Sequence, residues 1–337
     1  MLPNAPDIVA RLREFQRVVR KTVIDSRRVA DLHEVSHSTA ADTIYRIDTA
    51  VEPILEAFCE EWAKAHPIVL VAEGLLDASG NEVESRVFPA GATDDQAPIR
   101  LIVDPIDGTR GIMYDKRPAW ALAGVAPNRG PATRLRDIEV AVMTELPTSK
   151  MGQADVLWAI RGQGAHGVRE SLAGGADQPL RIAPSSADRI DHGFASVSNF
   201  FPGTKVLASQ LMEHLVAELI GHADVTRATV FDDQYISTGG QLYELITGHD
   251  RFNCDLRPLF YRMQGQPEGL CCHPYDCATI LIAAEAGVVL TDGCGNPLDG
   301  PLDTTTGLAW AGYANQALHD RIQPLVTQFL QEHGLMF

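Results

Sequence analysis

The sequence of 337 residues predicts an α/β fold in two halves, an α+β N-terminal half and an α/β C-terminal half. The first half opens with helical apolar spacing and continues with short apolar runs, which is typical of helices packed on a sheet. The second half alternates helical and strand patterns. Residues 174–186 are rich in Gly, Ala, Pro and Ser. We therefore predict a boundary there, with domains at 1–183 and 184–337.

Two helical segments open the chain. Apolar side chains near the N-terminus recur three and four residues apart, which predicts one buried helical face. They are Ile8, Leu12, Phe15, Val18, Val19 and Val23. Residues 39–62 show the same spacing and predict a second helix. Because the first segment is amphipathic rather than continuously apolar, it does not look like a secretion signal, and we expect a cytoplasmic location.

Short apolar runs bounded by Gly, Pro and Asp follow the helices, and we interpret them as strands of one antiparallel sheet. They are residues 68–73, 99–104, 120–126, 138–146 and 154–162. The second half has three helical and two strand patterns. They are residues 207–221, 240–248 and 276–287 for the helices, and 288–290 and 308–313 for the strands.

The charge balance excludes one class of partner. Lys and Arg number 28 against 44 Asp and Glu, so the formal net charge is −16, and no basic run offsets it. We expect no binding to a nucleic-acid polymer, which needs positive charge at the phosphates. No stretch approaches the ~20 apolar residues of a membrane helix, so no membrane contact is expected. An acidic protein still binds a small anion when divalent cations lie between the two.

The six cysteines are scattered, apart from the adjacent pair Cys271 and Cys272. That pair lacks the two-residue gap of a zinc knuckle. Buried, reduced thiols are therefore the better interpretation.

The densest chemical signal is Asp104-Pro105-Ile106-Asp107-Gly108-Thr109, directly after the predicted strand 99–104. Alone, Asp-Pro-x-Asp-Gly is more often a surface turn. Two carboxylates three residues apart across a proline-stiffened turn can also face one point, where their repulsion favours a bound cation. Hard oxygen ligands select Mg²⁺ or Mn²⁺ over thiophilic metals.

Two further carboxylates have both an ordinary and a functional interpretation. Glu73 ends the predicted strand 68–73, where a carboxylate is usually only solvated. Asp276 precedes the apolar helical pattern that runs to Gly287, where its ordinary role is an N-cap. Capping would also fix the Asp276 carboxylate for a ligand role, so the two roles are compatible.

Four segments together resemble the inositol monophosphatase superfamily of magnesium-dependent, lithium-sensitive phosphomonoesterases. LIVDPIDGT at 101–109 is similar to its first signature, and YDCATILIAAEAGVVLTDGCGNPLD at 275–299 is similar to its second. IDTAVEPIL at 47–55 and WAIRGQGAH at 158–166 resemble two further family segments in order and spacing. The resemblance implies a layered αβαβα sandwich, a homodimer and a small phosphorylated metabolite as substrate.

The resemblance also implies a metal site. Glu73, Asp104 and the carbonyl oxygen of Ile106 would hold one ion. Asp104, Asp107 and Asp276 would hold a second, and Glu73 counts among the catalytic residues as well. The expected cofactor is two or three Mg²⁺ ions, or Mn²⁺ in their place.

The resemblance gives roles to residues around the metals. Thr109 and Asp48 would orient and deprotonate the attacking water, and the N–H groups of Gly108 and Thr109 would cradle the phosphate. The substrate-binding set that the resemblance implies is Gly108, Thr109, Gly239, Gly240 and Glu268.

The chain departs from the family pattern at several of these points. Gly74 follows Glu73 where the family has a second Glu, which puts a third metal ion in doubt. Gln241 stands where the nucleotide-phosphatase branch has a lysine, which weakens a nucleotide substrate. Glu268 is one residue out of step with the family's sugar-reading acid. The loop from Arg110 to Arg117 also differs, and its cations are either solvated or near the metals.

These observations predict a metal-dependent phosphoric monoester hydrolase that acts on a small polyol or sugar-like metabolite. A phosphatase for a bisphosphorylated sugar or nucleotide is the first alternative. A catalytically silent metal-binding scaffold of the same fold is the second, although a cluster of carboxylates is costly to keep without a use.

Overall fold

The structure of the chain, a computed structural model, describes residues 2–26, 35–38, 43–77, 81, 83–221 and 226–335. These residues form five layers in which helices alternate with an eight-stranded and a five-stranded sheet. The αβαβα sandwich confirms the predicted fold class. Among the described helices, none combines the length and the apolar character needed to cross a bilayer.

The first layer holds the N-terminal helices, α1 (Ala5–Ser26), the short α2 (Arg46–Thr49) and α3 (Glu52–Ala63). The predicted face of α1 packs against the first sheet, and all of its predicted residues are buried except Val18, which is half-buried. The predicted helix at 39–62 is wrong at residues 43–45, which form a strand, and it is divided into α2 and α3. Residues 39–42 lie outside the described residues, and strand β2 (Thr43–Tyr45) pairs with β1 (Val35–Ser38). Helix α3 begins later, where Pro53 suits a first helical turn.

The second layer is an eight-stranded sheet in the order β10-β9-β8-β7-β6-β5-β3-β4. Its strands are β3 (Ile68–Ala72), β4 (Ser85–Phe88), β5 (Ile99–Asp107), β6 (Ala119–Pro127), β7 (Val140–Leu146), β8 (Gln153–Ile160), β9 (Ala165–Ser171) and β10 (Gln178–Pro179). All five predicted strands are present, but the wholly antiparallel arrangement is wrong, because β3 and β5 are parallel. The unpredicted β4 pairs antiparallel with β3 on the outer edge, so the chain turns back before it enters β5.

The third layer contains α6 (Thr238–Ile246) and α8 (Ile280–Ala286) between the two sheets, and the short α4 (Thr109–Met113) follows β5. Helix α6 contacts β6 on one side and strands of the second sheet on the other. Every residue of α6 except Glu244 is buried, as expected for a middle layer. The helix predicted at 276–287 corresponds to α8, but its predicted start at Asp276 is wrong, because α8 begins only at Ile280.

The fourth layer is a five-stranded sheet in the order β12-β11-β13-β15-β14. Its strands are β11 (Gly193–Val197), β12 (Val230–Phe231), β13 (Asp250–Asp255), β14 (Val289–Thr291) and β15 (Trp310–Tyr313). The two predicted strands correspond to β14 and β15. Strands β11, β12 and β13 are parallel, so their carboxyl ends meet at one edge of the sheet.

The fifth layer holds α5 (Lys205–Ile220), which packs on β11, and α9 (Gln316–Glu332), which packs on β15. The shorter α7 (Arg257–Met263) follows β13. One continuous apolar core fills the space between the two sheets. Within it, Trp120 of β6 contacts Tyr243 of α6, with 4.7 Å between the ring centroids. The division into two domains at residue 183 stays a prediction.

Candidate active site

A bulge in β5 turns Asp104 and Asp107 toward the same side of the sheet. In a regular strand, residues three apart point to opposite faces. Asp104 lies opposite Leu122 of β6 and Asp107 opposite Trp120, so three steps along β5 match two steps along β6. The extra residue restores a common direction to the two side chains. The Asp-Pro-Ile-Asp segment is therefore a strand end with a bulge rather than a surface turn.

Asp276 completes a cluster of three carboxylates. One carboxylate oxygen from each of Asp104, Asp107 and Asp276 lies within 4.8 Å of the other two. The Asp276 carboxylate accepts a hydrogen bond of 2.6 Å from the backbone N–H of His273. The N-cap interpretation of Asp276 is wrong, since Thr279 occupies the N-cap position of α8. A turn at residues 274–279 positions the carboxylate instead.

The electrostatics of the cluster favour a cation. Burial raises the pKa of Asp104 well above its ordinary range, and the neighbouring carboxylates raise it further. In order of effect, these neighbours are Asp107, Asp276 and Glu73. Their contribution places Glu73 within electrostatic reach of Asp104. The carboxylates and the nearby Ile106 carbonyl are hard oxygen donors, so the set fits Mg²⁺ or Mn²⁺.

Burial also raises the pKa of Asp107, to about 6, although three hydrogen-bond donors oppose the shift. The donors are the Gly239 N–H, the Ser237 hydroxyl and the Thr238 N–H. A buried carboxylate that has both hydrogen-bond donors and like-charged neighbours is poised for a positive ligand.

Thr109 stands at the start of α4, beside the carboxylates. Its hydroxyl oxygen lies 3.0 Å from Oδ1 of Asp48 and 2.8 Å from the carbonyl oxygen of Ile106. Gly108, just before it, has a left-handed φ of 95°, which permits the sharp change from β5 to α4. The structure thus brings Asp48 and Thr109 together, as the sequence predicts.

A cleft of about 380 Å³ contains these groups. The predicted residues that line it are Asp48, Glu73, Asp104, Ile106, Asp107, Gly108, Thr109 and Asp276. Buried polar groups that converge on a concave surface are typical of an active site.

The comparisons with known proteins found phosphatases among the relatives of the chain. No family model matches the chain. A fructose-1,6-bisphosphatase/inositol-1-monophosphatase of Methanothermobacter thermautotrophicus is 26% identical over 267 residues, which cover 76% of this chain and 80% of the relative. The name of this relative supports the resemblance to the inositol monophosphatase superfamily that the sequence motifs indicate.

Solved structures show the same fold. The fructose-1,6-bisphosphatase of Leishmania major matches 98% of this chain and 96% of its own, with a TM-score of 0.69 and 14% identity. The Thermotoga maritima IMPase matches 95% of this chain and 97% of its own, with a TM-score of 0.60 and 16% identity. The inositol monophosphatase superfamily fold therefore extends over nearly the whole chain.

Three residues of the expected substrate-binding set do not line the cleft. The Gly239 N–H donates to Asp107 at 2.5 Å, and the Gly240 N–H donates to the Ser237 hydroxyl at 2.9 Å. The Glu268 carboxylate accepts a hydrogen bond of 3.3 Å from the Cys271 thiol. The substrate role that the superfamily resemblance implies for these residues stays a prediction.

The opposite wall of the cleft carries residues that the sequence did not reveal. Phe200 and Phe201 follow β11, and Arg257 follows β13, at the edge where the parallel strands end. The Arg257 guanidinium lies 4.6 Å from the Phe200 ring centroid and 5.1 Å from that of Phe201. Asp255 holds Arg257 through Nε at 2.8 Å. The sequence analysis did not predict strands β11 and β13. If it had, the residues that follow the carboxyl ends of these parallel strands would have been candidates for the site.

The cations of the Arg110 to Arg117 loop have separate environments. Arg110 lines the cleft, with its guanidinium 5.2 Å from the Phe201 ring centroid. Arg117 pairs with Asp233, and Lys116 is exposed. Only Arg110 of the three lines the cleft among the described residues.

The cysteines agree with the thiol prediction. All six are free, and five are buried, while Cys294 is half-buried. Cys272 and Cys277 lie 3.4 Å apart between their sulfur atoms, on either side of Asp276. Burial raises the pKa of Cys272 well above its ordinary range, so its neutral thiol form is favoured.

Proposed function

We propose that the chain hydrolyses a phosphate monoester on a small polyol or sugar-like metabolite, with Mg²⁺ or Mn²⁺ as cofactor. The observation that carries this proposal is the cluster of Asp104, Asp107 and Asp276 beside the Thr109 and Asp48 pair in one cleft. The names of the relatives, which include phosphatases of both monophosphates and bisphosphates, support it.

The cofactor site in this proposal uses the residues that the sequence predicted. Glu73, Asp104 and the Ile106 carbonyl would hold one ion, and Asp107 and Asp276 would join Asp104 around the second. When bound, the ions neutralise the phosphate charge, activate the nucleophilic water and stabilise the leaving oxygen. The acidic residues orient the ions, and the buried setting strengthens each charge interaction.

The Thr109 hydroxyl is placed to move a proton. Asp48 accepts a hydrogen bond from Thr109, so a water at Thr109 can give its proton to the hydroxyl oxygen as the hydroxyl proton passes to Asp48. The water oxygen then bonds to phosphorus while the ester oxygen leaves on the opposite side. In this proposal the N–H groups of Gly108 and Thr109 hold the phosphate oxygens.

A bisphosphorylated sugar is the second candidate substrate, and Arg110 favours it. This guanidinium lines the cleft next in sequence to Thr109, where it could meet a second anionic group. A nucleotide is less favoured. Gln241, at the position of the nucleotide branch's lysine, is buried, and its Nε2 donates to the Ser198 hydroxyl at 3.0 Å.

A panel of phosphorylated metabolites tests the proposal. Inositol monophosphate, a sugar monophosphate, fructose 1,6-bisphosphate and a nucleoside bisphosphate would be assayed for phosphate release with and without Mg²⁺. We expect Mg²⁺-dependent release from at least one polyol or sugar ester. Direct binding of Mn²⁺ without release from any compound would instead favour the silent scaffold.

Two further expectations belong to the proposal. A homodimer is expected in solution, and light scattering that gives a monomeric mass would refute it. A cytoplasmic location is expected as well, and fractionation of the native cells tests it.

A further inference from the structure

The start of α6 holds the carboxylate of Asp107 through two hydrogen bonds to one of its oxygen atoms. The Ser237 hydroxyl donates to Oδ2 of Asp107 at 2.8 Å, and the Gly239 N–H donates to the same oxygen at 2.5 Å. Asp107 belongs to β5 in the eight-stranded sheet, whereas α6 lies in the layer between the sheets. The contact therefore joins a residue of the acidic cluster to a different structural layer.

The hydrogen-bond roles at Ser237 are fixed by its neighbours. Its hydroxyl oxygen accepts from the Gly240 N–H at 2.9 Å, which makes Ser237 the N-cap of α6. A serine hydroxyl has one hydrogen to donate, and this arrangement leaves it for Asp107. Helix α6 is nine residues long, and its N-terminus adds a favourable dipole next to the negative carboxylate.

A side chain at position 239 would crowd its neighbours. A Cβ there would lie 2.7 Å from Cδ2 of Leu122 and 2.9 Å from Oδ2 of Asp107. A side chain would thus push against the carboxylate that the backbone N–H binds. The close approach of α6 to Asp107 depends on the absence of this one atom.

We infer that Ser237 and Gly239 are positioning residues for Asp107, which hold Oδ2 and leave Oδ1 to ligate the divalent cation. The inference rests on the proposed function, in which Asp107 is a metal ligand. It differs from the substrate contact that the family resemblance implies for Gly239, because this N–H already has a partner. Residues that orient a ligand from behind commonly change metal affinity by about 10–100-fold when they are replaced.

Direct titration of the purified protein with Mn²⁺, followed by electron paramagnetic resonance without substrate, tests the inference. Ser237→Ala removes the hydroxyl, Ser237→Thr restores it, and Ser237→Gly removes it with a smaller loss of capping. Asn315→Ala is the matched control, because Asn315 caps α9 through a 3.0 Å bond from the Leu318 N–H and does not line the cleft.

We expect Ser237→Ala and Ser237→Gly to weaken Mn²⁺ binding about 10–100-fold and Ser237→Thr to bind within about threefold of the wild type. Asn315→Ala should bind Mn²⁺ normally even if its melting temperature falls. In an Asp107→Ala background, Ser237→Ala should have no further effect, because the oxygen that accepts its hydrogen bond is gone. Unchanged affinity in Ser237→Ala, or an equal loss in the Asp107→Ala background, would overturn the inference.

The experiment separates this inference from the hydrolysis proposal. If Mn²⁺ binding follows the expected pattern but no compound of the panel is hydrolysed, the positioning role stands and the proposed reaction fails. If the wild-type protein does not bind Mn²⁺, Asp107 is no metal ligand and the inference fails with it.

Discussion

The hydroxyl oxygen of Thr109 lies 3.0 Å from Oδ1 of Asp48, although 61 residues separate them in the sequence. The relationship joins the start of α4 to the short α2. It places a hydroxyl and a carboxylate in series at the edge of the acidic cluster. In the proposed reaction this pair carries the proton of the attacking water.

The first prediction removes that hydroxyl. Thr109→Val keeps the shape of the side chain but can neither accept the proton of water nor donate to Asp48. General acid–base groups typically contribute about 10²–10⁴-fold to rate, so we expect a loss in kcat of that order. Stopped assays of phosphate release measure it, with Thr109→Ser as the control that retains activity. A Thr109→Val enzyme with normal kcat would exclude the proton path through this residue.

Asp107→Asn is expected to lower turnover by several orders of magnitude and to leave the fold intact. The substitution removes one negative charge from the cation site but keeps the size of the side chain. Steady-state kinetics and circular dichroism measure the two effects separately. A variant with near-normal turnover would remove Asp107 from the site.

Removal of metal gives a third prediction. Enzyme treated with a chelator and freed of it by gel filtration should release no phosphate, and added Mg²⁺ or Mn²⁺ should restore turnover. The metal-free protein should also melt at a lower temperature, because three carboxylates within 4.8 Å then repel without a cation between them. Full turnover by demonstrably metal-free enzyme would contradict the proposed mechanism.

The sequence predicted that these acidic residues lie together, from short motifs and from their resemblance to family segments. Asp104 and Asp107 lie in one short segment that contains the β5 bulge, and Glu73 directly follows an apolar strand. The opposite wall of the cleft has no such signal. Strand β13 (Asp250–Asp255) has the sequence DRFNCD, which contains no apolar pattern that predicts a strand. Its buried Asn253 donates a hydrogen bond of 2.6 Å to Asp250. The position of Arg257 depends on that strand and could not be predicted.

The start of α8 shows a second limit of local reasoning. Asp276 precedes an apolar helical pattern and looks like an N-cap, yet its carboxylate turns back to the His273 N–H and the helix begins at Ile280. An Asp before an apolar helical pattern is expected both for an N-cap and for a turn that holds a metal-binding carboxylate. The contact that distinguishes them is the hydrogen bond from the His273 N–H, and the apolar pattern after Asp276 does not predict it.

Glu145 gives a prediction for stability against pH. Burial raises its pKa from 4.5 to about 7, although the Asp155 N–H donates to its carboxylate at 2.9 Å. The folded state therefore binds more protons than the unfolded state between these values, so this contribution to stability is complete below pH 4.5 and is lost as pH rises through 7. Each unit of pKa shift corresponds to about 1.4 kcal/mol.

Glu145→Gln should remove that dependence, because the amide has the same shape and does not titrate. Urea unfolding at several pH values measures this dependence. Between pH 5 and 8, the free energy of unfolding of the variant should rise by about 1–3 kcal/mol relative to that of the wild type. Glu332→Gln, at an exposed position near the end of α9, is the control and should change nothing. If the free energy of unfolding changed with pH in the same way for the wild type and Glu145→Gln, the prediction would be refuted.

The last prediction concerns Arg110, which lines the cleft next to Thr109. If the substrate carries a second anionic group, a charge-assisted contact with Arg110 adds about 1.5–3 kcal/mol, or roughly ten- to a hundredfold in affinity. Arg110→Ala should then raise KM for a bisphosphorylated sugar by that factor and spare a singly phosphorylated polyol. The double variant Lys116→Ala and Arg117→Ala is the control, since Lys116 is exposed and Arg117 pairs with Asp233. Equal effects of Arg110→Ala on both substrates would assign Arg110 to the reacting phosphate itself, and a larger effect of the double variant would move the second anion site to the neighbouring loop.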